Sequence, residues 1–157
     1  MKILRNPWSD MPGYNCFGCA EKNQSGLKMK FAEDGEFVVC EWEPSLDYQG
    51  FHNILHGGIQ ATLMDEIASW TVMLKTGKAA VTYNLELKYK RPVLVNNGKI
   101  RLKAVLIRSS GRTAHVHVDL FNSDDLVCSE AIADFYIIPG GKLSEEIRFP
   151  GKEAFYK

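Results

Sequence analysis

The feature that most constrains the fold is one amphipathic segment near the middle of the chain, HGGIQATLMDEIASWTVMLKTG. Its bulky apolar residues recur every three or four positions, which is the period of an α-helix, and Gly77 stands where a helix would end. The spacing predicts a helix over residues 58–75, about 27 Å long. Its bulky face carries Ile59, Leu63, Ile67, Trp70 and Leu74. We expect this face to pack against a sheet.

Five segments have the composition and apolar alternation of β-strands, one before the helix and four after it. They are residues 36–42, 81–89, 99–108, 113–121 and 126–138. Short, turn-rich connections make neighbouring strands antiparallel. Strict alternation places Thr82 on the polar strand face together with Lys88 and Lys90. The element order predicts an α+β fold, in which one antiparallel sheet packs on one central helix.

The length of 157 residues is enough for one domain that buries roughly 70% of its unfolded surface without disulfides or metals. No repeat or low-complexity linker divides the chain, so we expect a single domain over residues 1–157. Residues 1–30 are rich in glycine and proline and predict a loop-like leader, and residues 31–138 form the core. Residues 139–157 are polar and predict a tail that lies over the surface.

Composition excludes several classes of function. Nineteen basic and nineteen acidic residues give a formal net charge of zero, which argues against a global electrostatic attraction to nucleic acid or membrane. The apolar runs are too short to span a bilayer, and the first residues lack the apolar region of a signal peptide. Four cysteines without an export signal indicate reduced thiols. We therefore expect a cytoplasmic protein that binds neither nucleic acid nor membrane.

The face of the predicted helix opposite the bulky residues is small and carries one acid, Asp65, beside Ala61, Ala68 and Val72. Glu66 lies about 100° around the helix from Asp65, near the edge of the bulky face. A small-residue face allows another backbone to approach, for example that of a second subunit. The alternative is that Asp65 is a solvated residue on the back of an amphipathic helix.

The residues His56, Gly57 and Gly58 stand where the helix begins. Two glycines leave the first free N–H groups unshielded, and the helix dipole favours negative charge there. This arrangement is typical of an oxyanion hole or an anion site, although a plain turn has the same sequence.

The segment HGGIQATLMDE resembles the HGG…D signature of the PaaI-like acyl-CoA thioesterases, which are hotdog-fold enzymes in which an antiparallel sheet wraps a long helix. The similarity extends to VTYNLELKYKRPV (Val81–Val93), to RSSGR (Arg108–Arg112) and to CFGCAEKNQSGL (Cys16–Leu27). It covers roughly residues 14–138. The resemblance implies hydrolysis of an acyl-CoA by a homodimer or homotetramer that needs no cofactor.

The same resemblance implies the roles of four residues. Asp65 matches the catalytic carboxylate, which acts as general base or nucleophile. Gly57 matches the residue whose backbone N–H polarises the thioester carbonyl, and His56 flanks it. Thr82 falls where relatives place a hydroxyl near the attacking water. Where some relatives have an asparagine six residues before the histidine, this chain has a glycine.

Substrate contacts are expected from a second group of residues. Eight basic residues and no acidic one lie between Lys88 and Arg112, which suits the phosphates of coenzyme A, although an ordinary basic sheet face has the same composition. The predicted substrate-binding residues are Gly58, Asn53, Glu66, Arg91, Arg108 and Arg112.

The pair Cys16 and Cys19 invites a zinc or redox interpretation. No second CxxC is present, the nearest histidines in sequence are more than thirty residues away, and His115 and His117 lack a further ligand. Because a structural zinc needs four ligands, we expect no metal. Two other functions are weighed against the thioesterase: a non-catalytic acyl-CoA-binding hotdog protein and, with a poorer fit, a hotdog hydratase or dehydratase.

Overall fold

A computed structural model describes residues 1–156. It contains seven strands, two α-helices and two short 3₁₀ segments, the latter at Leu46–Tyr48 and Lys152–Tyr156. The strands and helices in chain order are β1 (Lys2–Ile3), β2 (Ala32–Asp34), β3 (Phe37–Trp42), α1 (Gly57–Thr76), β4 (Ala80–Tyr89), β5 (Ile100–Ser109), β6 (Thr113–Phe121), β7 (Val127–Ile137) and α2 (Lys142–Ile147).

All seven strands form one antiparallel sheet in the order β1-β2-β3-β5-β6-β7-β4. The helix α1 contacts β3, β4, β5, β6 and β7, and therefore lies across one face of the sheet. This is the predicted α+β architecture with one long helix wrapped by an antiparallel sheet, the hotdog fold. Strand β4 ends the sheet order and leaves one long edge without a neighbour among residues 1–156.

The helix α1 begins and ends one residue beyond its predicted limits, at positions that the sequence explains. His56 caps its N-terminus, and Gly77 closes its C-terminus in the left-handed conformation (φ +69°). Within the small-residue face, Ala68 and Val72 are fully buried within the single chain, so the C-terminal half of that face is covered without a second subunit. Only its N-terminal part, around Asp65, remains half-exposed.

Strand β4 contains a β-bulge that changes which way its side chains point. Thr82 pairs with Phe135 of β7, and Asn84 pairs with the adjacent Asp134. Tyr83 is therefore an extra residue in the ladder. Phe135 is fully buried, on the sheet face that α1 covers. Thr82 therefore faces the helix, and the prediction that it shares the outer face with the lysines is wrong. A bulge shifts the alternation by one residue, and a pattern read as strictly periodic cannot anticipate it.

Both chain ends are more tightly integrated than the sequence indicates. The leader supplies β1, and the predicted surface tail ends in a 3₁₀ segment whose Phe155 is fully buried. The Phe155 ring packs edge-on against Trp70 of α1 and Trp8 of the leader, at centroid distances of 5.0 and 5.6 Å. The Arg5 amide also donates a hydrogen bond to the Phe155 carbonyl. The tail thus anchors the leader to the helix.

Within residues 1–156, neither helix has the length and apolar character that crossing a membrane requires.

Replacing Phe155 with alanine tests the anchoring role of the tail. Because the ring is fully buried between two tryptophans, Phe155→Ala should lower the free energy of unfolding by about 3–5 kcal/mol. Urea denaturation followed by tryptophan fluorescence measures the change. Leu143→Ala, in the half-exposed part of the same tail, is the matched control and should change stability by less than about 1 kcal/mol. Equal effects of the two changes would contradict the anchoring role.

Candidate active site

The N-terminus of α1 presents a free backbone donor at Gly57. The Gly58 N–H donates to Nδ1 of His56 at 2.8 Å, so the imidazole caps the helix. The Gln60 N–H bonds the His56 carbonyl oxygen, which closes the first turn. The Gly57 N–H, at the first helical position, has no partner among residues 1–156, and it carries the positive end of the helix dipole. Of the two glycines predicted to bind substrate, only Gly57 therefore offers an N–H to a ligand.

A cleft of about 470 Å³ opens in front of this donor. Tyr89, at the end of β4, donates its hydroxyl to the Gly57 carbonyl at 2.8 Å and holds the helix start in place. Gly50 also lines the cleft, where a Cβ would lie 3.4 Å from His56. Arg91 lines the same cleft, and Phe51, which is 80% exposed, stands at its rim. The cleft thus combines an apolar wall with the Gly57 N–H and two cationic side chains, Arg91 and Lys90, of which Lys90 pairs with Glu130.

A buried hydrogen-bond chain beneath the cleft fixes the first helical turn to the sheet. Gln60 is 3% exposed, accepts a hydrogen bond from the Ser129 hydroxyl at 2.5 Å and donates to the Leu55 carbonyl at 3.2 Å. Neither Gln60 nor Tyr89 is among the site residues predicted from the sequence. A polar residue inside an otherwise apolar helical segment was the available signal for Gln60, and Tyr89 was counted only as part of the strand pattern.

The predicted catalytic carboxylate lies two turns further along α1. Thr82 donates its hydroxyl to Oδ1 of Asp65 at 2.7 Å, across from β4. Burial raises the pKa of the Asp65 carboxyl, and the Thr82 hydrogen bond offsets part of that effect because it favours the charged form. The bulge in β4 is what brings the hydroxyl to this side of the sheet. The carboxylate is therefore oriented, partly shielded from water and more basic than a surface aspartate.

Glu66 is held apart from this pair, in a cluster formed with the leader. Its Oε1 lies 3.5 Å from Sγ of Cys16, and Gly18 packs directly against its side chain. Burial raises the pKa of Glu66 to about 7. The predicted place of Glu66 in the substrate site therefore changes: the carboxylate faces the leader and not the Gly57 cleft.

The predicted substrate residue Asn53 is engaged within a loop. Its Nδ2 donates to Oδ1 of Asn96 at 2.9 Å, and its Oδ1 accepts the Asn96 N–H at 3.0 Å. Asn53 also adopts a positive φ of 59°, which favours asparagine over most residues. Its side chain therefore joins two loops through Asn96.

The three predicted phosphate-binding arginines lie at opposite ends of β7. Arg91 donates from its backbone to the Cys128 carbonyl, at the start of the strand. Arg112 accepts from the Ile137 N–H at the end of the strand, about 30 Å away along an extended backbone, and Arg108 belongs to the same hairpin. Within one chain these arginines do not form the single basic surface that the sequence suggests.

The site residues thus fall into two groups at the two ends of the sheet. Gly57 and Arg91 form one end, while Asp65, Thr82 and the hairpin arginines form the other. Gly57 and Asp65 are eight positions apart on one helix, which separates them by about 12 Å along its axis. A carbonyl carbon and its oxygen cannot contact both groups of one chain at the same time.

The chain is similar in sequence and in structure to known thioesterases. Residues 52–129 match the thioesterase superfamily model. Mouse acyl-coenzyme A thioesterase 13 is 27% identical over 88 residues, which cover 55% of this chain and 62% of that protein. A thioesterase structure from Haemophilus influenzae has a TM-score of 0.69 at 20% identity, covering 76% of this chain and 85% of that one. A hypothetical thioesterase from Streptococcus pneumoniae, solved with coenzyme A, has a TM-score of 0.65 at 18% identity, covering 70% and 85%.

The long helix wrapped by an antiparallel sheet makes this protein one of the hotdog-fold class. The chain belongs to the thioesterase superfamily, as its resemblance to that family predicted. The match spans less than two thirds of the mouse protein's length, and the two structures are under 25% identical to this chain. The two structures therefore show the fold alone.

Replacing Thr82 tests its effect on the Asp65 carboxyl. Thr82→Val keeps the shape of the side chain but removes the donor that stabilises the carboxylate, so the Asp65 pKa should rise further. Thr82→Ser keeps the hydroxyl and should leave the pKa close to its wild-type value. NMR titration of the Asp65 carboxyl carbon measures both. An unchanged pKa in Thr82→Val would show that the hydrogen bond does not act on Asp65.

Proposed function

We propose that this protein hydrolyses an acyl-CoA thioester to a free acid and coenzyme A. The observation that carries the proposal is the oriented, partly buried Asp65 carboxylate on the same helix whose N-terminus offers the Gly57 N–H. A thioester carbonyl is already electrophilic, so a carboxylate and one N–H donor are the kinds of group that its hydrolysis requires. Membership of the thioesterase superfamily and the similarity to the mouse acyl-coenzyme A thioesterase support the substrate class.

The chemistry follows from the two groups. The Gly57 N–H donates a hydrogen bond to the carbonyl oxygen and stabilises the negative charge that develops there, with the helix dipole adding to the effect. Asp65 either accepts a proton from water as that water attacks the carbonyl carbon, or attacks the carbon itself and forms an anhydride that water then hydrolyses. In both routes the coenzyme A thiolate leaves. The Thr82 hydroxyl holds the carboxylate and stands beside the attacking atom.

The separation of Gly57 from Asp65 leads us to propose that two chains build each site. A two-fold axis that sets two copies of α1 antiparallel brings Gly57 of one chain to Asp65 of the other, and generates two identical sites. The unpaired edge of β4, ten residues long, offers a surface for such a pairing. The functional unit is then a homodimer or a homotetramer built from dimers.

The same pairing unites the basic residues. Arg91 lies with Gly57, and the hairpin arginines Arg108 and Arg112 lie at the end of the sheet that carries Asp65. A two-fold axis therefore brings arginines from both chains to one cleft, where they suit the phosphates of coenzyme A. The Streptococcus pneumoniae neighbour was solved with coenzyme A, which supports this ligand class for the fold.

We also infer a cytoplasmic location. All four cysteines are free thiols, which suits a reducing compartment.

Replacing Asp65 with asparagine tests the proposed catalytic role of its carboxylate. Asp65→Asn keeps the hydrogen bond from Thr82 but can neither accept a proton nor attack a carbonyl, so kcat should fall by about 10²–10⁴. A panel of acyl-CoAs with a thiol-reactive dye measures the released coenzyme A. Glu66→Gln should cost much less, because Glu66 faces the leader. Asp119→Asn, on the outer sheet face, controls for loss of a carboxylate.

Two outcomes of the same panel would overturn the proposal. Full activity in Asp65→Asn would place the chemistry elsewhere. A wild-type protein that binds acyl-CoA tightly but releases no thiol would favour the non-catalytic acyl-CoA-binding function.

Replacing Arg112 with alanine tests its proposed contact with the phosphates of coenzyme A. Removing the guanidinium should raise KM for an acyl-CoA about 2- to 5-fold at low salt, with kcat nearly unchanged, and added salt should shrink the difference. Arg101→Ala is the matched control, because Arg101 pairs with Asp125 at the other end of the sheet. Equal KM values for the two variants would remove Arg112 from the binding site.

A further inference from the structure

A second cluster of reactive side chains lies where the leader crosses α1. Sγ of Cys16, Sγ of Cys19 and a carboxylate oxygen of Glu66 all lie within 4.8 Å of one another. The Cys16 sulfur is 3.5 Å from Oε1 of Glu66. These three donor atoms come from two segments that are fifty residues apart in the chain. Their mutual spacing is that of ligands around a single small cation.

Backbone hydrogen bonds hold the loop that carries the two cysteines. The Ala20 N–H donates to the Cys16 carbonyl at 3.1 Å, and the Met29 N–H donates to the Gly18 carbonyl at 2.9 Å. A Cβ at Gly18 would lie 2.5 Å from the carboxyl carbon of Glu66, so the loop passes close to the carboxylate and a larger residue there would displace the Glu66 side chain.

Outer groups orient the donor atoms. The Tyr14 hydroxyl lies 3.0 Å from Sγ of Cys19, and Nδ2 of Asn6 donates to the same sulfur at 3.4 Å. Hydrogen bonds from outside the ligand set are a regular feature of metal sites, where they fix the ligands and tune their basicity.

The cluster concentrates acidic groups without a protein cation. Two thiols and one carboxyl share a partly buried space, and no ion pair within residues 1–156 involves Glu66. When these groups ionise together, their mutual repulsion and desolvation are costly unless a positive charge compensates them. A divalent cation supplies that charge at the point where the three donors converge.

We propose that Cys16, Cys19 and Glu66 bind one Zn²⁺ ion. Two thiolates and one carboxylate form a borderline-soft donor set that suits zinc better than magnesium or calcium, which take oxygen ligands. All three donors line a cleft of about 420 Å³ together with Tyr14 and Met73, and we expect a water molecule from this cleft to supply the fourth ligand. The ion fastens the leader to α1.

This inference replaces the expectation from the sequence that no metal binds. That expectation considered histidines and a second CxxC, whereas the third ligand is a glutamate that only the fold brings to the cysteines. The site is independent of the proposed hydrolysis, because Asp65 points to β4 and shares no atom with it.

Metal titration of the reduced, full-length protein tests the proposal without reference to activity. Co²⁺ should bind one ion per chain and produce a thiolate-to-cobalt charge-transfer band, which Zn²⁺ then displaces. At free Zn²⁺ about 100 times Kd, Tm should rise by about 5–10 °C. The band should vanish in Cys16→Ser and Cys19→Ser and persist in Cys40→Ala, whose thiol lies on β3.

Two further variants separate a ligand from a neighbour. Glu66→Gln should weaken Zn²⁺ binding, whereas Glu21→Gln, which removes an exposed carboxylate of the leader, should not. Tyr14→Phe removes the outer hydrogen bond to Cys19 and should raise Kd about tenfold. Failure of the reduced wild type to bind Zn²⁺ at micromolar concentrations would overturn the proposal. Zn²⁺ binding that survives the loss of both cysteines would also overturn it. The same holds if Cys16 and Cys19 form a stable disulfide and bind no Zn²⁺.

Discussion

The burial of α1 against one face of the sheet is the constraint on which the rest of the structure depends. It fixes where the helix begins, and thereby leaves the Gly57 N–H free at the mouth of a cleft while Tyr89 and Gln60 hold that first turn to the sheet. It also fixes the position along the helix axis at which Asp65 accepts the hydrogen bond from Thr82. Because a helix is rigid, both groups keep a constant separation, and that separation decides how many chains a working site requires.

Much of this arrangement is predictable from the sequence. The helix limits, all five expected strands and the α+β architecture follow from periods of 3.6 and 2 and from glycine and asparagine at the turns, whereas the short strands β1 and β2 were not predicted. The signature around Gly57 and Asp65 pointed to the superfamily. These features are predictable because they depend on residues that are close together in the chain.

The features that escaped prediction depend on contacts between distant segments. The bulge at Tyr83 is a matter of register with β7, and nothing in the alternation of β4 alone reveals that Thr82 turns toward the helix. Because the residues around Phe155 are mostly polar, the composition of the tail predicted a surface segment and gave no sign that Phe155 packs against two tryptophans. Likewise Glu66 becomes a neighbour of Cys16 only after the leader folds across α1.

The central claim is that each catalytic site draws Gly57 from one chain and Asp65 from the other. Gly57→Pro removes the donor N–H at a position where proline suits a helix, and the extended conformation of His56 (φ −57°, ψ 133°) accepts a following proline. Heterodimers of Gly57→Pro with Asp65→Asn, isolated through two different affinity tags, carry one site with both changes and one with neither.

The specific activity of that heterodimer toward an acyl-CoA is the most direct measurement. A site shared between chains predicts about half of the wild-type value, although each parent homodimer is inactive. A heterodimer as inactive as its parents, with unchanged circular dichroism, would show that each chain contains its whole site and would contradict the account.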